Sequence, residues 1–425
     1  MIADHCPGMK AALSTTSALA LALTLAACAT PPTGSPPAET SSTPSAQAQI
    51  GPGDVTGQTL GTRLYGQLAS GGDNIVISPV SLMGAFGVVA EGARGETRGA
   101  ILSSLGLPDR AGLGGELGGL LRGLQSDADG ATLSVANAVW VQRDFPLNPV
   151  FVQAARANYG AEARPVDFQG APQASADTIN SWVSQATRTR IPDLISRSAI
   201  NADTRLVVTN AVYFLGDWEQ PFNAAATRPE PFYLVGGRSI STPLMYRQGG
   251  YRLLETADLQ VLDLPYKGDR LSMTVLLPRE RNGLSMLERR LDADLAGWLS
   301  ALDGQDVRSV RVFLPKLQAE LSYQLNPQLA ALGMGLAFSN QADLRGIADA
   351  PLTISQVVHK TFLRIDEKGT EAAAATGVLI EMTGAPASPP PTFRADHPFV
   401  FLIRDRETGA VLFMGRITRP EAPPS

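Results

Sequence analysis

Residues 367–381 read Glu367-Lys-Gly-Thr-Glu-Ala-Ala-Ala-Ala-Thr-Gly-Val-Leu-Ile-Glu381, and the fold turns on how this stretch is read. Taken by propensity, the four alanines favour a helix. Period 2 sorts the residues differently. One face holds Thr370, Ala372, Ala374, Thr376, Val378 and Ile380, all uncharged. The other holds Glu371, Ala373, Ala375, Gly377, Leu379 and Glu381, which include both acids. That is the pattern of a half-buried strand. Small side chains suit a strand that must enter an already packed sheet, because overpacking costs roughly 1–3 kcal/mol. An inward charge would cost more, since it would lose its water without gaining a partner. Gly369 suits a hinge, because glycine reaches backbone angles closed to other residues.

Outward from this stretch, helix signals come early. Leu60, Leu64, Tyr65 and Leu68 recur at helical spacing over 59–69. Ser78-Pro-Val-Ser81 opens a second helix, with Ser78 as its cap and Pro79 in its first turn. Ile179, Trp182 and Val183 share a face over 178–186. Strand signals dominate later, over 204–214, 261–266, 271–277, 307–314, 352–365, 399–403 and 411–417. The glycine-rich run 112–119 reads as a loop or a poor helix. The whole predicts an α+β fold with large sheets, one domain over 54–425.

The chain has 425 residues, 44% of them hydrophobic, which is enough for a large core. A formal net charge of -5 argues against a nucleic-acid partner, which would need a basic face. Two cysteines, Cys6 and Cys28, lie too near one terminus to staple a domain. There are three histidines, His5, His359 and His397. His359 lies in an alternating strand pattern and reads as a satisfied core histidine, whereas His397, before Pro398, is expected to be exposed. No metal-binding or nucleophile motif and no phosphate loop is present, so no catalytic set assembles and no cofactor is expected. An enzyme of the cell envelope is the weak alternative.

The N-terminus reads as an address, with translation starting at Met9. Met9-Lys10 precedes an apolar run from Ala18 to Ala27 that is too short to span a membrane. Leu25-Ala-Ala-Cys28 resembles a bacterial lipobox, making 1–27 a signal peptide and Cys28 the lipidation site. Residues 28–53, rich in Pro, Ser and Thr, are expected to form a flexible tether. The expected location is the envelope, lipid-anchored on the periplasmic or surface side of the outer membrane, or outside the cell.

The rest of the chain resembles the serpin family over nearly all of 60–420. Asn74-Ile-Val-Ile-Ser-Pro-Val-Ser-Leu82, Gly92-Ala-Arg-Gly-Glu-Thr97 and Thr209-Asn-Ala-Val-Tyr-Phe-Leu-Gly-Asp-Trp218 carry the match. So do Leu264-Pro-Tyr-Lys-Gly268, Asp396-His-Pro-Phe-Val-Phe401 and Leu412-Phe-Met-Gly415. The resemblance implies eight or nine helices on three β-sheets with an exposed reactive-centre loop. It implies a monomeric inhibitor that forms a covalent 1:1 complex with a serine or cysteine protease. Serpin loop insertion is itself a standard example of strand addition driven by stored strain.

Residue by residue, the hinge maps to Glu367, Gly369, Thr370, Glu371, Ala372, Ala373, Ala374, Ala375 and Thr376. The shutter maps to Ser78, Ser81, Asn210 and His359, and the breach to Trp218. Counting from Gly369 places the reactive bond at Thr383-Gly384, or one residue earlier at Met382-Thr383. Such residues suit elastase-, subtilisin- or chymotrypsin-like pockets. Residues 111–130 hold one basic residue, Arg122, so heparin is not expected to bind. A non-inhibitory carrier or chaperone is the alternative within the family.

Overall fold

The computed structural model describes residues 54–125, 131–370 and 389–423. Eight α-helices occur among them: α1 (Gln58–Leu68), α2 (Pro79–Gly92), α3 (Gly95–Ser104), α4 (Leu113–Gln125), α5 (Pro149–Tyr159), α6 (Pro172–Ala186), α7 (Leu284–Asp303) and α8 (Asn326–Ala331). The strands begin with β1 (Ile75–Ile77), β2 (Ala131–Gln142), β3 (Glu162–Val166), β4 (Leu206–Asp217) and β5 (Arg228–Tyr233). Next come β6 (Ser239–Glu255), β7 (Leu259–Pro265), β8 (Leu271–Pro278), β9 (Arg308–Pro315) and β10 (Leu317–Gln324). The last are β11 (Ile354–Ile365), β12 (Gly369–Thr370), β13 (Thr392–Arg394), β14 (Phe399–Asp405) and β15 (Val411–Ile417).

The α+β architecture holds, and three sheets can be traced. A six-stranded sheet has the order β10-β11-β12-β4-β2-β3. A nine-stranded path runs β1-β15-β14-β8-β7-β6-β9-β13, with β5 also on β6. Strand β6, 17 residues long, pairs with β9 over Leu244–Tyr251 and with β7 over Arg252–Glu255, so the path divides into two sheets that share it. The hairpin read around 267–270 is β7 and β8, antiparallel. The described residues make one compact unit.

Both faces of the six-stranded sheet are covered, which explains its near-continuous apolar runs. On one face α6 and its return segment pack Ile179, Val183, Ile191 and Leu194 against Trp140, Val207, Ala211 and Phe362. On the other face lies the main core, where Leu82, Phe86, Val208, Val212 and Phe413 are buried.

Four readings are corrected. The glycine-rich run is helical: Leu113, Leu117, Leu121 and Leu124 bury one face of α4. Gly118 serves close packing, because a Cβ there would lie 1.6 Å from the Asn158 carbonyl oxygen of α5. Ser78 occupies the cap position of α2, yet its side chain makes no capping bond and its buried hydroxyl has no partner among the described residues. His397 is buried, with Nδ1 2.9 Å from Asp396 Oδ1 and Nε2 2.8 Å from the Pro278 carbonyl oxygen. Gly369 is needed for space and not for a left-handed backbone. It is not among the positive-φ glycines, and a Cβ there would lie 1.9 Å from the Gly216 carbonyl oxygen.

Candidate functional site

The site is the seam between β11 and β4. These strands pair in parallel from Ile354 opposite Leu206 to Phe362 opposite Tyr213. Beyond that point they part. The chain leaves β11 at Ile365, turns through Asp366–Lys368 and comes back as β12 inside the gap. Thr370 pairs with Ile365 on one side and Gly216 on the other, both antiparallel. A strand has therefore begun to form between two strands that are otherwise direct neighbours.

Local chemistry fixes this tip. Asp366 N–H donates to the Gly369 carbonyl (2.9 Å), and Lys368 N–H to Asp366 Oδ1 (3.0 Å). Trp218 holds the turn twice, with its backbone N–H on the Lys368 carbonyl (2.7 Å) and its indole N–H on the Asp366 carbonyl (3.0 Å). The Trp218 ring stacks on Tyr266 at 4.6 Å between centroids. The Tyr266 hydroxyl meets the Thr370 hydroxyl at 2.8 Å, and Thr370 is fully buried. A hydroxyl enters a buried gap at little loss when it finds such a partner.

Glu367 anchors the same turn. Its carboxylate lies 2.8 Å from Lys316 Nζ and accepts a 2.8 Å bond from the Thr227 hydroxyl. Burial pulls this carboxyl upward, but the bonds from Lys316, its own backbone and Thr227 outweigh that and hold it below its ordinary range.

Lower in the seam the strands carry a polar row. His359 of β11, Asn210 of β4 and Asn137 of β2 are register partners across three adjacent strands. His359 Nε2 accepts from the Ser78 backbone N–H (3.1 Å), so Nδ1 is the protonated nitrogen and donates to Asn210 Oδ1 (2.6 Å). The Asn210 amide then donates to Ser81 Oγ and Asn137 Oδ1. Burial without a charged partner pushes the His359 ring down to about 3, so it is neutral. Thr361 Oγ1 donates to the Val76 carbonyl (2.9 Å) one step further along. Of the side-chain bonds in this row, the one from His359 to Asn210 crosses the seam itself. Opening the seam breaks that bond, and because α2 holds His359 through the Ser78 N–H and Asn210 through Ser81 Oγ, one of those two contacts must yield as well.

The structure thus brings Ser78, Ser81, Asn210 and His359 together and places Trp218, Glu367, Gly369 and Thr370 at the upper end of the same seam. Ser78 takes part through its backbone. Asn137, Tyr266, Lys316 and Thr227 belong to these clusters and were missed. Tyr266 falls within the Leu264–Gly268 segment of the family resemblance, while Asn137 and Lys316 have no local signal, since their partners are far away in sequence. The expected hinge residues Glu371, Ala372, Ala373, Ala374, Ala375 and Thr376, the bond at Met382, Thr383 and Gly384, and Cys28 lie outside the described residues. Among the described residues no group of three or more His, Cys, Asp or Glu is placed to hold a metal.

Known proteins carry the same architecture. The family model described as Serpin (serine protease inhibitor) matches residues 56–420. An uncharacterized serpin-like protein of Thermococcus kodakarensis is 40% identical over 363 residues, covering 84% of this chain and 83% of its own. The leukocyte elastase inhibitor of Bos taurus is 37% identical over 358 residues, covering 82% and 93%. The crystal structure of Serpin48 from the insect Tenebrio molitor superposes with a TM-score of 0.78 at 30% identity, covering 86% of this chain and 97% of its own. With its polar row, its tryptophan-held turn and a family match over 56–420, the chain belongs to the serpins, a family of serine protease inhibitors.

Proposed function

We propose that this chain is an inhibitory serpin that acts as a suicide substrate. One observation carries the reading: Gly369 and Thr370 already sit between β11 and β4 as the tip of a strand. The uncharged face that continues from Thr370 through Ala372, Ala374 and Thr376 has the small side chains the gap can accept. The target's catalytic oxygen attacks the Thr383 carbonyl carbon, or that of Met382, and the amine of the following residue leaves. The cut loop then enters the seam as a full strand before the acyl bond is hydrolysed, and the captured protease is carried with it.

Elastase-, subtilisin- and chymotrypsin-like serine proteases are the proposed targets. The bait residues are small or apolar, and the bovine relative's name points to elastase. The body, residues 54–425, is proposed to act as one domain held to the membrane by lipid on Cys28 through the 28–53 tether.

The test is to incubate the full chain with elastase, subtilisin and chymotrypsin and look for a complex that survives denaturing electrophoresis. Cleavage without such a complex across the panel would sink the inhibitory reading. Radiolabelled fatty acid should enter the chain in cells and be lost in Cys28→Ala. Labelling that persists in that variant refutes the anchor.

A further inference from the structure

A cavity of about 620 Å³ lies between α6 with its return segment and, in the six-stranded sheet, the edge strand β10 with its neighbour β11. Asp177 of α6 and Asp193 and Arg197 of the return segment form one wall; Ser322 and Gln324 of β10 and Val358 of β11 form the other. Its volume falls within the roughly 300–1,000 Å³ of small-molecule sites. Its charges are unevenly satisfied. Arg197 and Asp177 close on each other through two bonds of 2.8 and 2.9 Å. Asp193 is exposed, and its carboxylate has no partner among the described residues. Its backbone carbonyl is occupied by Lys360 Nζ at 2.7 Å. Ser322 and Gln324 are likewise exposed, with side chains that make no hydrogen bond among the described residues.

The two walls lie on either side of the seam. Strands β10 and β11 are on one side, while α6 rests on β2 and the return segment runs into β4. Three bonds tie the return segment to β11: Lys360 to the Asp193 carbonyl, the Gln356 amide to the Ala199 carbonyl, and the Arg205 N–H to Ser355 Oγ. If β11 and β4 part, these bonds must yield and the cavity must change shape.

We propose that this cavity binds a small organic cation, a guanidinium or ammonium on an aliphatic stem, and that the bound cation holds the seam shut. The guanidinium pairs with the free Asp193 carboxylate through two parallel bonds. The stem lies over Val358, and the far end meets Ser322 and Gln324. Because the ligand prefers the closed seam, it slows insertion by about 1 + [L]/Kd, or roughly tenfold at ten times its Kd. The second half of the proposal rests on the insertion reading given above.

N-acetylarginine amide is the probe, titrated by calorimetry into the full-length chain. Saturable one-site binding is expected, weakened at least tenfold in Asp193→Asn. That variant keeps the Lys360 bond, which uses the backbone. In trapping assays with a protease whose own activity the probe leaves unchanged, probe at ten times its Kd should raise the excess of chains consumed over protease captured roughly tenfold. Asp193→Asn should show no such rise. Absence of saturable heat, or equal binding by Asp193→Asn, overturns the site. Binding with unchanged consumption overturns the hold on the seam. If no protease is captured even without probe, the inhibitory reading fails while the calorimetry still decides the site.

Discussion

His359 is buried and neutral, and acid should act through it. Its folded value, about 3, lies below the ordinary 6.5. Between those values the unfolded chain binds a proton on this ring that the folded chain does not. The contribution to stability is therefore complete above 6.5 and is lost as pH falls toward 3, by roughly 1 kcal/mol per pH unit. Denaturant midpoints measured between about pH 4 and pH 7 should show this slope, and His359→Gln should flatten it. An unchanged slope in the variant would place the acid sensitivity elsewhere. Glu367 makes a separate prediction. Glu367→Lys faces Lys316 with a like charge and should lower native stability by about 1–3 kcal/mol, read as a fall in the denaturant midpoint. The double variant with Lys316→Glu should recover part of the loss, and no recovery would deny the pair its role. At this scale the sequence showed which residues matter through their resemblance and not what they bond. His359 looked like a satisfied core histidine, and it is one. Its partners, the Asn210 side chain and the Ser78 backbone, are set by strand register and helix placement that no short window contains.

Two-residue β12 is the element on which the proposed function turns, and its smallness is informative. Propensity read the alanines as helix, and period 2 read them as strand. Gly369–Thr370, just before them, is strand, and the alanines themselves lie outside the described residues. Thr370→Arg tests the seating directly. The site is fully buried, with a hydroxyl partner on Tyr266 and no carboxylate within that contact. An arginine there must either stay out of the gap or bury an unpaired charge, which costs several kcal/mol. The expected outcome is an efficient substrate: target proteases cut the variant at wild-type rate, and covalent complex falls at least tenfold. Full trapping by the variant would mean that Thr370 need not enter the sheet. Other elements were legible to different degrees. The β7–β8 hairpin and β11 followed from alternation and apolar runs. Helix α4 did not, because five glycines hid its leucine stripe, and the close approach of α5 that explains Gly118 is a tertiary fact. The cap expected of Ser78 is not made either, and its backbone N–H instead donates to His359, a partner 281 residues away.

For the whole molecule, the six-stranded sheet is one body with an incomplete joint. Its strands are bonded throughout except where β11 and β4 separate around the tip of β12, and its two faces carry two apolar clusters. On the proposed inhibitory reading, a chain in this state is held by the barrier to opening that joint, and its persistence is kinetic. On the inhibitory reading proposed above, a cut at the bait would let the chain continue β12 down the seam. Each direct pairing given up between β11 and β4 is replaced by pairings on both sides of the new strand. With about a dozen added bonds of roughly 0.5–1.5 kcal/mol net each, the gain is of order 10 kcal/mol. For a body of this size that corresponds to a rise in melting temperature on the order of 10–20 °C. The measurement is a thermal scan of the chain before and after a single cut by a protease that is not trapped. Scan rate should shift the intact form more than the cut form, because escape over a barrier governs the first. The same cut in Thr370→Arg should give little rise, since the strand stalls at its first inward residue. Equal melting temperatures for cut and uncut wild type would mean that the loop does not enter, and the joint between β11 and β4 would then be only a feature of packing.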